Sequence, residues 1–137
     1  MSEKHSEQPY EVFLSYSHED KSWVSKFVSV LKTSGVNAWS HADIFPGERW
    51  QEKIQEALRE SNTLVMVLSP SSIINRRMFF ELEAAVADKK RIIPVILEDL
   101  DISRIPAALL KFQALREESP QEAGKRVAKI LEKNTMH

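Results

Sequence analysis

The run TLVMVLS, Thr63 to Ser69, is apolar at every position between its polar ends. A strand with one wet face alternates apolar and polar residues. An unbroken run of this length is therefore covered on both sides, as in the centre of a parallel sheet. RIIPVIL, Arg91 to Leu97, reads the same way, although Pro94 lacks an N–H and predicts a local release from pairing. Between the two lie a polar loop, Ser69 to Asn75, and a helix reaching about Asp88. Upstream, a helix over about Arg49 to Glu60 carries Trp50, Ile54, Ala57 and Leu58 on its inward stripe.

Further out, Glu11 to Tyr16 reads as strand one and Val36 to Trp39 as strand two. Between them a helix spans about Asp20 to Ser34, with Trp23, Phe27, Val30 and Leu31 at helical spacing. Gly35 follows it, at the position favoured for a left-handed stop. A short helix after Pro106, a brief edge strand over Phe112 to Leu115 and a last helix over about Pro120 to Glu132 complete the chain. Strands alternating with helices imply parallel crossovers and an α/β class. The expected architecture is a flavodoxin-like three-layer fold with a five-stranded parallel sheet in the order 2-1-3-4-5. One domain is expected over residues 10–134, behind a disordered tail over residues 1–9.

A chain of 137 residues with 42% hydrophobic content suffices for one core. Its 19 basic and 20 acidic residues leave a net charge of -1, which favours neither nucleic acid nor an anionic membrane. With no Cys, disulfides, thiolate nucleophiles and Cys-type zinc sites are excluded together. The opening residues MSEKHSEQP are polar, and no apolar run nears the roughly 20 residues of a membrane span. A cytoplasmic location is expected.

In this topology ligands bind at the C-terminal ends of strands one and three. Three segments meet there: FLSYSHED (Phe13 to Asp20), the loop holding Pro46 and Gly47, and the loop and helix after Ser69. Strand three ends in Leu68, Ser69 and Pro70 where a phosphoacceptor receiver needs an Asp, so that reading fails. Gly35, Gly47 and Gly124 lie too far apart for a dinucleotide fingerprint or a P-loop. His5, His18, His41 and His137 have no metal-ligand spacing, and no nucleophile elbow surrounds Ser17 and His18. Glu81, in FFELEAAVAD, is the best-placed acid. Beside Phe79 and Phe80 its carboxylate would be partly desolvated and its pKa raised, although spacing alone favours a solvated helix glutamate like Glu83. Ile44 and Phe45 are large apolar residues beside a turn. Such residues either contact a partner or tuck under the domain.

Four segments, in order, resemble the TIR (Toll/interleukin-1 receptor) domain, in its bacterial style. FLSYSHED is similar to the family's first box, and GVNAWSHADIFPGERW to its second box with the BB loop. ALRESNTLVMVLSPSSI resembles the following helix, central strand and serine-rich turn. FFELEAAVADKKRIIPVIL resembles the segment around the glutamate of NAD-cleaving members. The resemblance covers about Glu11 to Leu115. It implies that Glu81 is the catalytic glutamate and that Phe13, Tyr16, Ser17 and His18 line the nicotinamide and ribose end of a cleft. Trp50 would be an aromatic wall, and it also suits the inner stripe of its helix, as Phe13 suits a core strand. NAD+ is then the substrate, with no separate cofactor and no metal.

The resemblance further implies homo-oligomerisation through the BB loop, Asp43, Ile44, Phe45, Pro46 and Gly47, with assembly completing the site and any sensor on another chain or segment. Many NAD-cleaving members carry a Trp four residues before the glutamate, where this chain has Arg77. A guanidinium can stack on a planar ring or pair with a pyrophosphate, but it repels a cationic nicotinamide. Two readings stay open at this point. Glu81 in register favours an assembly-activated NAD+ glycohydrolase or cyclase in defence or virulence signalling. Arg77 in place of Trp favours a non-catalytic interaction module, an adaptor or a mimic that engages host TIR domains.

Overall fold

The computed structural model describes residues 11–70, 75–97, 100–117 and 119–135. The tail expected over residues 1–9, and part of the loop after Ser69, lie outside them. Among the described residues the strands are β1 (Val12–Ser15), β2 (Ala38–Ser40), β3 (Thr63–Leu68), β4 (Arg91–Ile96) and β5 (Leu115–Arg116). The helices are α1 (Lys21–Thr33), α2 (Trp50–Arg59), α3 (Arg76–Ala87) and α4 (Pro120–Thr135). All strand pairs are parallel, as the alternating pattern implied, and their order, β2-β1-β3-β4-β5, is that of the expected flavodoxin-like architecture.

Strand parity sorts the side chains into two cores, one on each face of the sheet. Val12 and Leu14 of β1, Val65 and Val67 of β3, and Ile93 and Val95 of β4 pack with Val24, Phe27 and Leu31 of α1 and Val127 of α4. Phe13, Leu64, Met66, Leu68, Ile92 and Ile96 pack on the other face with Ile54 and Leu58 of α2 and Met78 and Leu82 of α3. All six residues of β3 are buried, which is why its sequence shows no alternation.

Several details differ from the sequence expectation. A 3-10 turn, His18–Asp20, precedes α1, because the Ser17 side chain accepts from the Glu19 N–H and starts a tight turn first. The short helix after Pro106 is a 3-10 turn, Ala107–Leu109. The edge strand falls at Leu115–Arg116, since Phe112 packs into the core on the α2 and α3 side. Gly35 does adopt the left-handed conformation, with φ of 83°. Pro94 lies within β4, paired to Met66 of β3 in register. The Glu117 N–H donates to the Ile96 carbonyl, so Ile96 and Pro94 both point toward β5. There β5 begins only at Leu115, opposite Val95, and the missing N–H leaves no partner stranded. No helix among the described residues is long and apolar enough to cross a membrane.

Candidate functional site

Ser15 ends β1 with the parity of Phe13, which turns its hydroxyl toward α3. Opposite it, Asn75 caps α3 by accepting from the Met78 N–H at 2.8 Å. One turn further along α3, Glu81 points into the sheet with no exposed surface, while Glu83 is exposed. The Ser15 hydroxyl donates to Glu81 Oε1. Glu81 Oε2 lies 3.5 Å from Arg77 Nε, an i,i+4 pair whose members have no hydrogen-bond partner at these two buried atoms. Arg77 Nη2 donates to the Tyr16 carbonyl at the end of β1. Arg77 thus spans from α3 to β1 across the carboxylate, with its side chain 23% exposed.

Burial pushes the Glu81 pKa up to about 7, against the opposing pull of Ser15 and Arg77. His41, partly buried at the start of a 3-10 turn (His41–Asp43), moves the opposite way. Burial, then the nearby Arg77 charge, lowers it to about 4, against the pull of Asp43. Its ring lies 5.0 Å from that of Tyr16, and its buried Nδ1 has no partner. At neutral pH the structure therefore brings together a neutral imidazole, a guanidinium and a carboxyl group poised near its own pKa.

The two shifts have opposite consequences for stability. Glu81, raised above its unfolded value of 4.5, contributes stability that is complete below pH 4.5 and lost as pH rises through about 7. His41, depressed below 6.5, contributes stability present above pH 6.5 and lost as pH falls through about 4. In thermal melts, the stability of Glu81→Gln relative to wild type should grow as pH rises from 4.5 to 7, by a few kcal/mol at most. The stability of His41→Asn relative to wild type should grow as pH falls from 6.5 to 4. Trends of the same sign in both variants would contradict these environments.

The residues expected to line a cleft separate into distinct positions. Phe13 is fully buried against Trp39, ring centroids 5.1 Å apart, so it is a core residue with no surface to offer. The Tyr16 ring has the opposite parity and packs with the α1 and α4 core; only its carbonyl faces Arg77. Ser17 is buried and donates to Glu19 Oε1 within its own turn, and His18 is exposed. Trp50 does not join the inward stripe of α2: it is 36% exposed and meets Phe80 edge-on at 5.5 Å. The first residue of α2 lies where strands have already ended, so an inward position there finds no sheet to cover it. Ser15, part of FLSYSHED but given no role of its own, and His41, considered only for metal-ligand spacing, join the candidate site. Strand parity relative to Phe13 signals Ser15, whereas nothing in the sequence signals His41.

The BB loop divides between adjacent residues. Asp43 accepts from the Ser40 N–H at 3.0 Å and closes a capping box with the Ser40 hydroxyl. Ile44 turns inward, half-buried against the α2 and α3 core, and so takes the second of the two alternatives, tucking under the domain. Phe45 is 72% exposed. It begins a turn through Pro46 and Gly47, whose φ of 92° suits glycine. Glu48 closes this turn twice: its N–H donates to the Phe45 carbonyl at 3.1 Å, and its Oε1 accepts from the Phe45 N–H at 2.8 Å. Among the described residues no three His, Asp or Glu side chains are grouped to hold a metal.

The sequence model of the TIR domain matches residues 12–131. TcpO of Methanobrevibacter olleyae, named a probable 2' cyclic ADP-D-ribose synthase, is 29% identical over 102 residues. The matched region is 71% of this chain and 30% of that protein, so the chain spans less than a third of its relative's length. The TIR domain of the Toll-related receptor TRR-2 from Hydra magnipapillata superposes with a TM-score of 0.68 at 24% identity, covering 91% of this chain and 94% of that one. The CMP N-glycosidase BcmB of Clostridium botulinum superposes with a TM-score of 0.62 at 15% identity, covering 85% of this chain and 97% of that one. At these identities the likeness is one of fold.

Proposed function

The chain belongs to the TIR domain family, and on that footing we propose that it cleaves the nicotinamide–ribose bond of NAD+, releasing nicotinamide and an ADP-ribose product, linear or cyclised. The observation that carries this reading is Glu81: a buried carboxyl at the C-terminal edge of the sheet, held by Ser15 and paired with Arg77. Nicotinamide in NAD+ is already a cation and departs neutral with the bond's electron pair, so no general acid is needed. Positive charge develops on the ribose, as in other glycosidic cleavages. An oriented anion beside that charge favours the transition state over the ground state. Water or a ribose hydroxyl then bonds to the anomeric carbon and loses its proton, which gives the linear or the cyclised product. The name of the TcpO relative directs the product assay to cyclised as well as linear ADP-ribose.

Only the ionised carboxylate acts in this way. With the Glu81 pKa near 7, kcat/KM should rise with pH through about 7 and level off above it. A profile flat from pH 5.5 to 8.5 would remove Glu81 from this role. Self-assembly through Phe45 is the proposed activating step, and signalling in defence or virulence is the proposed context. One observation favours a second reading, a non-catalytic interaction module. Glu81 has no exposed surface while Arg77 lies over it, and Phe45 stands on the surface ready for a partner. Nicotinamide release from NAD+ separates the two.

A further inference from the structure

Arg77 donates one hydrogen bond, from Nη2 to the Tyr16 carbonyl, but its contact with Glu81 is poor. Its Nε and Glu81 Oε2 are both buried and face each other at 3.5 Å with no hydrogen bond between them. A guanidinium's geometry is best used by two parallel, charge-assisted bonds, which a single long contact does not provide. A phosphate group offers that geometry. Arg77 is also the member of this pair with exposed side-chain surface, whereas Glu81 has none.

We propose that Arg77 is a substrate-selecting latch that exchanges Glu81 for the diphosphate of an incoming nucleotide and so uncovers the carboxylate. The inference rests on the NAD+-cleaving reading and adds the basis on which substrates are selected. NAD+ carries a cationic nicotinamide and an anionic diphosphate. Before binding, Arg77 pairs with Glu81; afterwards, Arg77 pairs with the diphosphate and Glu81 faces the cationic nicotinamide riboside. Each charge keeps a partner, so the exchange leaves no buried ion uncompensated. It also moves the guanidinium away from the cationic ring that it would otherwise repel. A ribosyl pyridinium without phosphate cannot drive the exchange, because it offers Arg77 nothing in return for Glu81.

The test uses ADP, which has the diphosphate and lacks nicotinamide, with binding followed by NMR titration. Glu81→Gln removes the internal competitor for Arg77 and should bind ADP about tenfold more tightly than wild type. Arg77→Gln should bind at least about tenfold more weakly, and the double variant should match Arg77→Gln, because the gain exists only through the guanidinium. Adenosine binding should be the same in all four proteins. Arg77→Lys, which keeps the charge without the fork, should fall between wild type and Arg77→Gln. ADP affinity in Glu81→Gln equal to or below that of wild type would overturn the latch, as would absence of ADP binding in both. Nicotinamide release is scored separately, with NAD+ and with nicotinamide riboside. The wild-type preference for NAD+ in kcat/KM should shrink at least about tenfold in Arg77→Gln. A folded wild type that releases no nicotinamide from either substrate defeats the cleavage reading, while the ADP series still decides whether Arg77 and Glu81 compete.

Discussion

Glu81→Gln is expected to lower kcat for nicotinamide release at least about 100-fold, the scale seen when a single preorganised electrostatic group is removed from a reacting centre. The substitution keeps the size of the side chain and an oxygen that can accept from the Ser15 hydroxyl. It removes only the charge. Because the carboxylate acts on charge that develops during bond breaking, the loss should fall on kcat, with KM not raised. Loss through misfolding is readily distinguished, since the variant's melting temperature should match or exceed wild type above pH 7, where burying the ionised carboxylate is most costly. Retention of wild-type kcat in a folded Glu81→Gln protein would remove this residue from the chemistry.

Phe45→Ala is expected to weaken self-association at least about tenfold and to reduce activity in parallel. Phe45 is 72% exposed, so truncating it removes little packing and should leave the melting temperature unchanged. Its turn is already closed by the two hydrogen bonds of Glu48. Docking the ring onto a neighbour therefore orders little additional chain, which raises the affinity obtained per area buried. Sedimentation across a concentration series, with nicotinamide release measured on the same samples, checks both effects. Full activity in a Phe45→Ala protein that stays monomeric throughout would disprove activation by assembly.

The sheet was legible because burial on both faces erases alternation, and TLVMVLS and RIIPVIL show that directly. The parallel pairing followed from the helices between the strands, whereas their order rested on the flavodoxin-like arrangement. The site was legible only to the resolution of a segment. FLSYSHED was correctly placed at the C-terminal edge of the sheet, yet Phe13, Tyr16 and Ser17 were grouped although adjacent strand residues face opposite layers. Parity sends Phe13 and Ser15 toward α3 and the Tyr16 ring toward α1. Helical spacing puts Glu81 on the apolar face with Met78, Leu82 and Ala85 and Glu83 off it, but the partner that holds a buried carboxyl there, Ser15, lies 66 positions away in sequence. Ile44 and Phe45 present the same difficulty in a loop, since the capped turn before them decides which residue tucks in. His41 carried no sequence signal, because its neutral state comes from burial and from Arg77, which lies 36 positions away in sequence.

The most direct measurement incubates concentrated wild-type protein with NAD+ and follows nicotinamide and ADP-ribose products by chromatography. The expected result is nicotinamide release in step with linear or cyclised ADP-ribose, increasing more than proportionally with protein concentration. Intact NAD+ after prolonged incubation with folded, assembled protein would contradict the account.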